Sequence, residues 1–456
     1  MKWSLFPQRS LLIHQLSLIK IIFIKELNKM QKQLCILFCL KHVIPKRMKK
    51  NLIYSLLIII TPLFFLSCNR NDNKECKDPF VESKNRTVLI YMAASNSLDI
   101  YNFTSADLEE MEEGIESVSD LEGCNILVYL QRGSSSARQT PKLLRLIKDP
   151  KTNKAEWVTI KEYEHQISTD PEVMGTVFRD MRKYYPANSY GLVLWSHADG
   201  WLEGEPKMQT RWFGEDKYEG VSYKMDILDL RKALSKVPKF DFILFDACLM
   251  QTIEVAYELK DHTHYMMGSP AEIPGPGAPY QELIPVFFER TPISDLVKDI
   301  ANSYYGYYKE TYTGSSSGNY PWKGGVSMTV LDLTQVDRFA ESMKAILKSN
   351  NSEYVDLEYS GVFYYDPGRG MKYYYTDIKS SLEGSNIPLS GAWKSSYSDF
   401  VTYFETTPTN YSGVKGADFS MKGANGVSMY IPRKGGDFFE ENEYYNKLSW
   451  TKFIMN

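Results

Sequence analysis

Short apolar runs bounded by polar residues alternate along this chain with stretches whose apolar positions recur every three or four residues. RTVLIYMAA (86–94) and NILVYLQRG (125–133) are rich in Val, Ile, Leu and Tyr, which predicts strands. SADLEEMEEGIESV between them has helical spacing, and LLRLIKD (143–149) with EWVTI (156–160) predicts a hairpin. A helix is expected from Asp170-Pro171, with Asp170 as cap, Pro171 in the first turn, and Val173, Val177, Phe178 and Met181 on one face. The almost wholly apolar GLVLWSH (191–197) and FDFILFDACL (240–249) read as central strands covered on both faces, with a helix over Met225–Leu234 between them.

The second half continues the alternation. A helix (294–309), the strand GVSMTVLDL (325–333) and another helix (334–349) precede a Tyr-rich stretch, YYDPGRGMKYYYTDI (364–378). NGVSMYIPRK (425–434) reads as a last strand before an aromatic tail, and no repeat or long linker interrupts the pattern. Repeated strand, helix, strand predicts the α/β class, with a mostly parallel central sheet and helices on both faces. Residues 86–290 are expected to form that domain, and 291–456 an α/β extension that completes it. Reactive groups in such folds gather at the carboxyl ends of the strands. His197 and Cys248 both stand at such ends.

The first 67 residues differ in kind. MKKNLIYSLLIIITPLFFLSC (48–68) has the charged head, apolar middle and small-residue exit of a signal peptide. The Leu66-Ser67-Cys68 exit resembles a bacterial lipobox, which implies that Cys68 is lipidated and begins an exported, membrane-anchored chain. An ordinary signal peptide and an uncleaved anchor are the alternatives. Met48 reads as the start, with 1–47 an over-extended reading of the gene or an extra upstream anchor, and 68–85 as a polar tether.

Setting 1–67 aside changes the charge. That segment holds 11 Lys/Arg and one acidic residue, leaving 42 basic against 55 acidic residues beyond it. A net charge of −13 repels phosphate backbones, so nucleic acid is excluded as a partner and cationic substrates are favoured.

After Cys68 only Cys76, Cys124 and Cys248 follow, too few for a disulfide scaffold. Cys124 opens an apolar strand and reads as a buried thiol. Cys248 precedes LMQTIEVAYEL, which has helical spacing, so it sits between a strand and a helix, 51 residues after His197. Thiol catalysis needs a nucleophilic sulfur, a base and oxyanion donors, and this pair offers the first two. Taken singly, such a cysteine is usually inert packing and such a histidine hydrogen-bonded scaffolding. His262 and His264 form an H-x-H with no third ligand at metal spacing and read as a surface loop.

The surrounding residues decide between these readings. FDACLM (245–250) resembles the nucleophile segment of the clostripain-like cysteine peptidases, and LWSHADGW (194–201) their histidine segment. TVLIYMAASNSLD (87–99), SPAEIPGPGAPY (269–280), NGVSMYIPR (425–433) and LSWTKF resemble further segments, so the likeness spans about 86–453. It implies a caspase-like fold and a Cys–His dyad, Cys248 as nucleophile and His197 as proton carrier. No cofactor or metal is required for that chemistry, and calcium dependence is left open. Backbone N–H groups of Cys248 and Ala198 would hold the oxyanion. Asp246 matches the residue that recognises Arg or Lys before the scissile bond, which suits a carboxylate; its alternative is a cap for the following helix.

Three departures bear on substrate preference. Ala198 stands where the family prefers Gly, while Ala271 and Ala278-Pro279 replace residues that are often acidic, aromatic and acidic; Glu272 is the candidate substitute for the lost charge. The long polar loop 202–224 offers Lys207, Arg211, Lys217 and Lys224 for self-cleavage, with Arg211 preferred. The expected partners are proteins or peptides with basic residues and a membrane through the lipid anchor. Two functions compete: a cysteine endopeptidase cutting after Arg or Lys, and a non-catalytic surface lipoprotein that uses the same domain for binding. A serine hydrolase is disfavoured, because no G-x-S-x-G elbow is present.

Overall fold

A computed structural model describes residues 86–134, 137–201, 212–311, 324–369, 374–433 and 438–456, all within one compact unit. The leader, Cys68 and the tether lie outside them, as do Lys207 and Arg211.

In chain order the first elements are β1 (Arg86–Ala94), α1 (Ser97–Ile100), α2 (Phe103–Ser117), β2 (Cys124–Ser134), β3 (Ala137–Arg138), β4 (Lys142–Lys148), β5 (Ala155–Glu162), α3 (Pro171–Tyr184) and β6 (Ser189–Trp195). They are followed by β7 (Phe213–Tyr218), β8 (Val221–Met225), α4 (Ile227–Leu234), β9 (Phe240–Asp246), α5 (Ile253–Leu259), β10 (Thr263–Gly268), α6 (Tyr280–Phe287) and α7 (Ile293–Thr311). The last part holds β11 (Ser327–Asp332), α8 (Val336–Ser349), β12 (Thr376–Asp377), α9 (Ile378–Gly384), α10 (Gly391–Phe400) and β13 (Val401–Thr406). It closes with β14 (Thr409–Ser412), β15 (Ala417–Ser420), β16 (Ser428–Met429), α11 (Phe439–Tyr445) and α12 (Ser449–Ile454).

The main sheet runs β13-β11-β10-β9-β6-β1-β2-β4-β5, with β3 added to β2. β2, β1, β6, β9 and β10 are mutually parallel, and the outer strands are antiparallel. The centre is apolar on both faces, as the continuous runs predict. Leu89, Tyr91 and Ala93 of β1 face one core with Val177 and Phe178 of α3, Leu230 of α4 and Val255 of α5. Val88, Ile90 and Met92 face the other, with Met111 of α2, Ile284 of α6 and Ile300 of α7. Asp170 caps α3 by accepting from Glu172 and Val173 N–H, as its position before Pro171 predicts.

Strand order reverses at β1, since β2 lies on one side of it and β6, β9 and β10 on the other. The carboxyl ends of β1 and β6 are therefore the switch point, the place where α/β folds build their sites.

Three elements differ from expectation. β7 and β8 pair as a hairpin inside the stretch read as loop, with Glu219 (φ +49°) and Gly220 (φ +78°) as its turn. β13 is a sheet edge with no strong apolar run. The NGVSMYIPRK strand shrinks to Ser428–Met429, paired with β12.

That short strand braces the segment after β9. Ser428 N–H donates to Gln251 O at 3.1 Å, and Tyr430 N–H to Glu254 Oε1 at 2.8 Å. One turn further along α5, Glu258 accepts from Ser449 N–H and from Arg231 at 2.5 Å. Burial pushes the Glu254 carboxyl up to about 8, against 4.5 in a free chain. The folded state thus holds this proton more tightly than the unfolded state, so stability falls as pH rises from about 4.5 towards 8. Glu254→Gln keeps an acceptor for Tyr430 and cannot ionise. Thermal unfolding between pH 5 and 8.5 is expected to show the variant losing less stability than wild type, by a few kcal/mol or less.

Candidate active site

β6 and β9 pair in parallel from Gly191↔Phe242 to Trp195↔Asp246. Two residues past that last pair stand His197 and Cys248, each beyond the carboxyl end of its own strand. The apolar runs that build the two strands therefore deliver imidazole and thiol to the same mouth of the sheet.

Cys248 is half-buried. Its Sγ accepts the Ile273 N–H at 3.4 Å, so the loop after β10 lies against the nucleophile candidate. Burial pushes the thiol up, Glu272 and then the Ile273 N–H follow in size, and these two act in opposite directions. The next residue, Leu249, is in the left-handed region (φ +61°), a conformation that costs a branched residue about 1 kcal/mol. Leu249 N–H donates to Ala271 O at 3.0 Å and Gln251 N–H to Ser269 O at 3.2 Å, which holds the turn in place. The helix begins only at Thr252, whose side chain caps it by accepting from Val255 N–H. Cys248 is thus in the connection ahead of the helix, not on its first turn.

His197 binds Ser97 Oγ through Nε2 at 2.8 Å. Trp212 stands edge-on to the ring at 6.4 Å between centroids. Burial pulls the imidazole down, Glu215 counters it, and Lys217 and Lys224 reinforce it. The backbone around His197 is stitched to the β7–β8 hairpin: Gly214 N–H donates to His197 O at 2.9 Å and Asp199 N–H to Trp212 O at 2.7 Å. Ala198 bridges Phe213 and does not have a positive φ, so its backbone shows no need of glycine. Gly200 does have one (φ +71°), and a Cβ there would meet the Tyr375 hydroxyl at 2.9 Å. Tyr375 in turn donates to Asp199 Oδ1 at 2.8 Å.

Asp246 is 2% exposed. Tyr280 Oη donates to its Oδ2 at 3.0 Å and Tyr304 Oη to its Oδ1 at 3.2 Å. Burial raises the carboxyl to about 6, opposed by bonds from Ala278 N–H and the two tyrosines. Gly277 (φ +76°) packs so closely that a Cβ would stand 3.0 Å from Oδ2. Asp107, which accepts from Trp195 Nε1 at 2.6 Å, and Glu110 are further carboxyls beside it; burial raises both, Glu110 to about 7, and the Asp246 charge raises them further. Asp246 therefore anchors the loop after β10 and does not cap α5.

Glu272 lies close enough to Cys248 to raise it, but its carboxylate accepts the Gly413 N–H at 2.8 Å, tying this loop to the β14–β15 hairpin. Lys217 and Lys224 are built into β7 and β8. His264 Nδ1 lies 3.6 Å from Asp241 Oδ1, and His262 N–H donates to Leu259 O at the end of α5. No helix among the described residues is long and apolar enough to cross a membrane.

Sequence reasoning missed Ser97, Tyr280, Tyr304 and the hairpin behind His197. Ser97 had one local signal, the Asn96 cap ahead of it. The tyrosines, 34 and 58 residues from Asp246, had none.

The Clostripain family, Peptidase C11, matches residues 90–456. Clostripain from Hathewaya histolytica is 23% identical over 81% of this chain and 81% of its own length. A secreted C11 cysteine protease from Bacteroides thetaiotaomicron, solved with an irreversible peptide inhibitor, is 37% identical with a TM-score of 0.70, covering 81% of this chain and 98% of that one. An inactive zymogen C11 protease from Parabacteroides distasonis is 29% identical with a TM-score of 0.66, covering 82% and 99%. A mostly parallel sheet with thiol and imidazole at adjoining strand ends, together with these matches, makes the chain a member of the clostripain family of C11 cysteine peptidases, with a caspase-like fold.

Proposed function

We propose that the protein is an endopeptidase that cuts after Arg or Lys, with Cys248 as nucleophile and His197 as general base. The observation that carries this is the register of β6 and β9, whose last pair, Trp195↔Asp246, stands two residues before His197 and Cys248. Burial raises the thiol and lowers the imidazole, so the resting pair is neutral. The proton passes from Sγ to the ring as sulfur attacks the peptide carbonyl. Amide N–H groups of Cys248 and Ala198 face the oxyanion in this reading. The imidazolium then protonates the leaving amine, and water, deprotonated by the same ring, hydrolyses the thioester. Asp246 supplies negative charge for the basic side chain.

A biotinylated arginine chloromethyl ketone tests the assignment. One adduct per chain, on the peptide containing Cys248, and library cleavage confined to Arg and Lys are expected. A folded protein that neither takes the label nor cuts basic peptides refutes it.

Two finer proposals concern residues outside the described set. Maturation by self-cleavage at Arg211 is supported by the zymogen form of the Parabacteroides relative and by the place of Lys217 and Lys224 within paired strands. Export with a lipid on Cys68 rests on the Leu66-Ser67-Cys68 exit. Metabolic labelling with palmitate is expected to mark the wild type and to be lost in Cys68→Ser; equal labelling of both would exclude it.

A further inference from the structure

Ser97 Oγ and His197 Nε2 are 2.8 Å apart, and among the described residues this hydroxyl is the hydrogen-bond partner of the ring. We propose that Ser97 is a positioning residue for catalysis, holding Nε2 so that Nδ1 is left to the Cys248 thiol. This rests on the peptidase reading above.

The hydroxyl is held by a built scaffold. Ser97 opens α1, directly after Asn96, which is 1% exposed and uses its whole side chain. Asn96 Oδ1 accepts the Leu98 N–H at 2.9 Å, while Nδ2 donates to Ala93 O at 2.8 Å, Glu215 O at 2.9 Å and Ser196 Oγ at 3.2 Å. Ser196, next to His197, donates to Ala93 O at 2.9 Å and accepts from Glu215 N–H at 3.1 Å. The ends of β1 and β6 and the start of the hairpin are thereby laced together around the histidine. Ser95 and Lys217 add a reciprocal pair, at 2.7 and 3.0 Å. On its other side α1 is pinned by Asp99, which accepts from Arg132 Nε at 2.9 Å and Gly133 N–H at 3.1 Å. A side chain that only filled space would need none of this.

The chemistry depends on which ring nitrogen carries the proton. A neutral ring whose Nε2–H donates to Ser97 Oγ has its lone pair at Nδ1, able to take the Sγ proton. After transfer, the imidazolium keeps the Nε2–H bond and gains an Nδ1–H, so the hydroxyl serves both protonation states. Around the ring the charged groups are Glu215 and Lys217 of β7 and Lys224 of β8. From α1 comes Asp99, already paired with Arg132 at 2.8 Å, and from the segment after the histidine Asp199, which raises Cys248. Oγ is the neutral acceptor among them.

The test compares Ser97→Ala and Ser97→Thr with wild type by peptide kinetics across pH and by nitrogen NMR of the histidine rings. Ser97 is half-buried, so the alanine variant removes one oxygen from a site that tolerates it. Ser97→Ala is expected to lower kcat by about 10- to 100-fold with KM within about twofold. The Nε2–H tautomer of His197 should lose population, and the imidazolium limb of the pH profile should move to lower pH, since the charged ring loses an acceptor. Ser97→Thr, which keeps the hydroxyl, is expected to restore kcat and tautomer. Unchanged kcat, pH profile and nitrogen shifts in Ser97→Ala would overturn the proposal. A wild type that cleaves no basic peptide and takes no label defeats the peptidase reading instead, and the nitrogen shifts then still decide whether Ser97 sets the ring.

Discussion

Cys248→Ala is expected to lower kcat/KM towards Arg and Lys peptides by at least about 10⁴-fold while leaving the folded state intact. The change removes one sulfur from a half-buried position, and the bond lost is a 3.4 Å contact with the Ile273 N–H. The only other thiol among the described residues cannot take over. Cys124 is buried at the opposite, amino end of β2, and burial holds its thiol at about 12. Oxyanion donors and substrate contacts survive the substitution, so residual turnover above the uncatalysed rate is compatible with it. Kinetics with a fluorogenic arginine peptide, alongside a melting curve matching wild type, check the expectation. Retention of more than about a tenth of the activity would remove Cys248 from the nucleophile role.

Asp246→Asn should produce the second largest effect, a loss of about 10²- to 10³-fold in kcat/KM for Arg and Lys substrates. Asn has nearly the shape of Asp and keeps one acceptor oxygen, so the loop held by Tyr280 and Tyr304 stays in place. What disappears is the charge. A carboxylate has about four acceptor positions, of which two hydroxyls and the Ala278 N–H use three. One remains for a guanidinium or ammonium group. The comparison that isolates charge is arginine against citrulline at the cleaved position: wild type should strongly prefer arginine, and the variant should not. Because burial holds the carboxyl at about 6, ionisation fails below that pH, and KM for basic peptides should rise there in wild type alone. A variant with wild-type selectivity would place recognition elsewhere, with Asp107 or Glu110 the next groups to change.

The strands that carry the site were legible because burial on both faces leaves an uninterrupted apolar run. GLVLWSH and FDFILFDACL therefore announced both β6 and β9 and, at their ends, His197 and Cys248. The expected mostly parallel sheet with helices on both faces is what the chain forms. What pairs across long distances was not legible. The β7–β8 hairpin turns on Glu-Gly, and its strands carry Glu215, Asp216, Lys217 and Lys224, so no alternation of apolar residues marks it. Asp216 is nonetheless fully buried, because Arg138 and the Ser168 N–H meet it from another part of the chain. Glu272 was read as a substitute charge for substrate, and the Gly413 amide that occupies it lies 141 residues away. Asp246 drew attention through its match to the family's acidic residue two places before Cys248; of its tyrosine partners, Tyr280 stood in a segment read as loop and Tyr304 in the helix 294–309, with nothing to tie either to it.

The brace between Ser428 and Gln251 also orders events in time. A separation of 177 residues divides them, so a ribosome making this chain releases the thiol long before the strand that steadies the turn behind it. At about 5–20 residues per second, that interval is on the order of ten seconds or more. A half-made chain has Cys248 but not the strand that braces the turn after it. The turn after Cys248 therefore takes its last support late in synthesis.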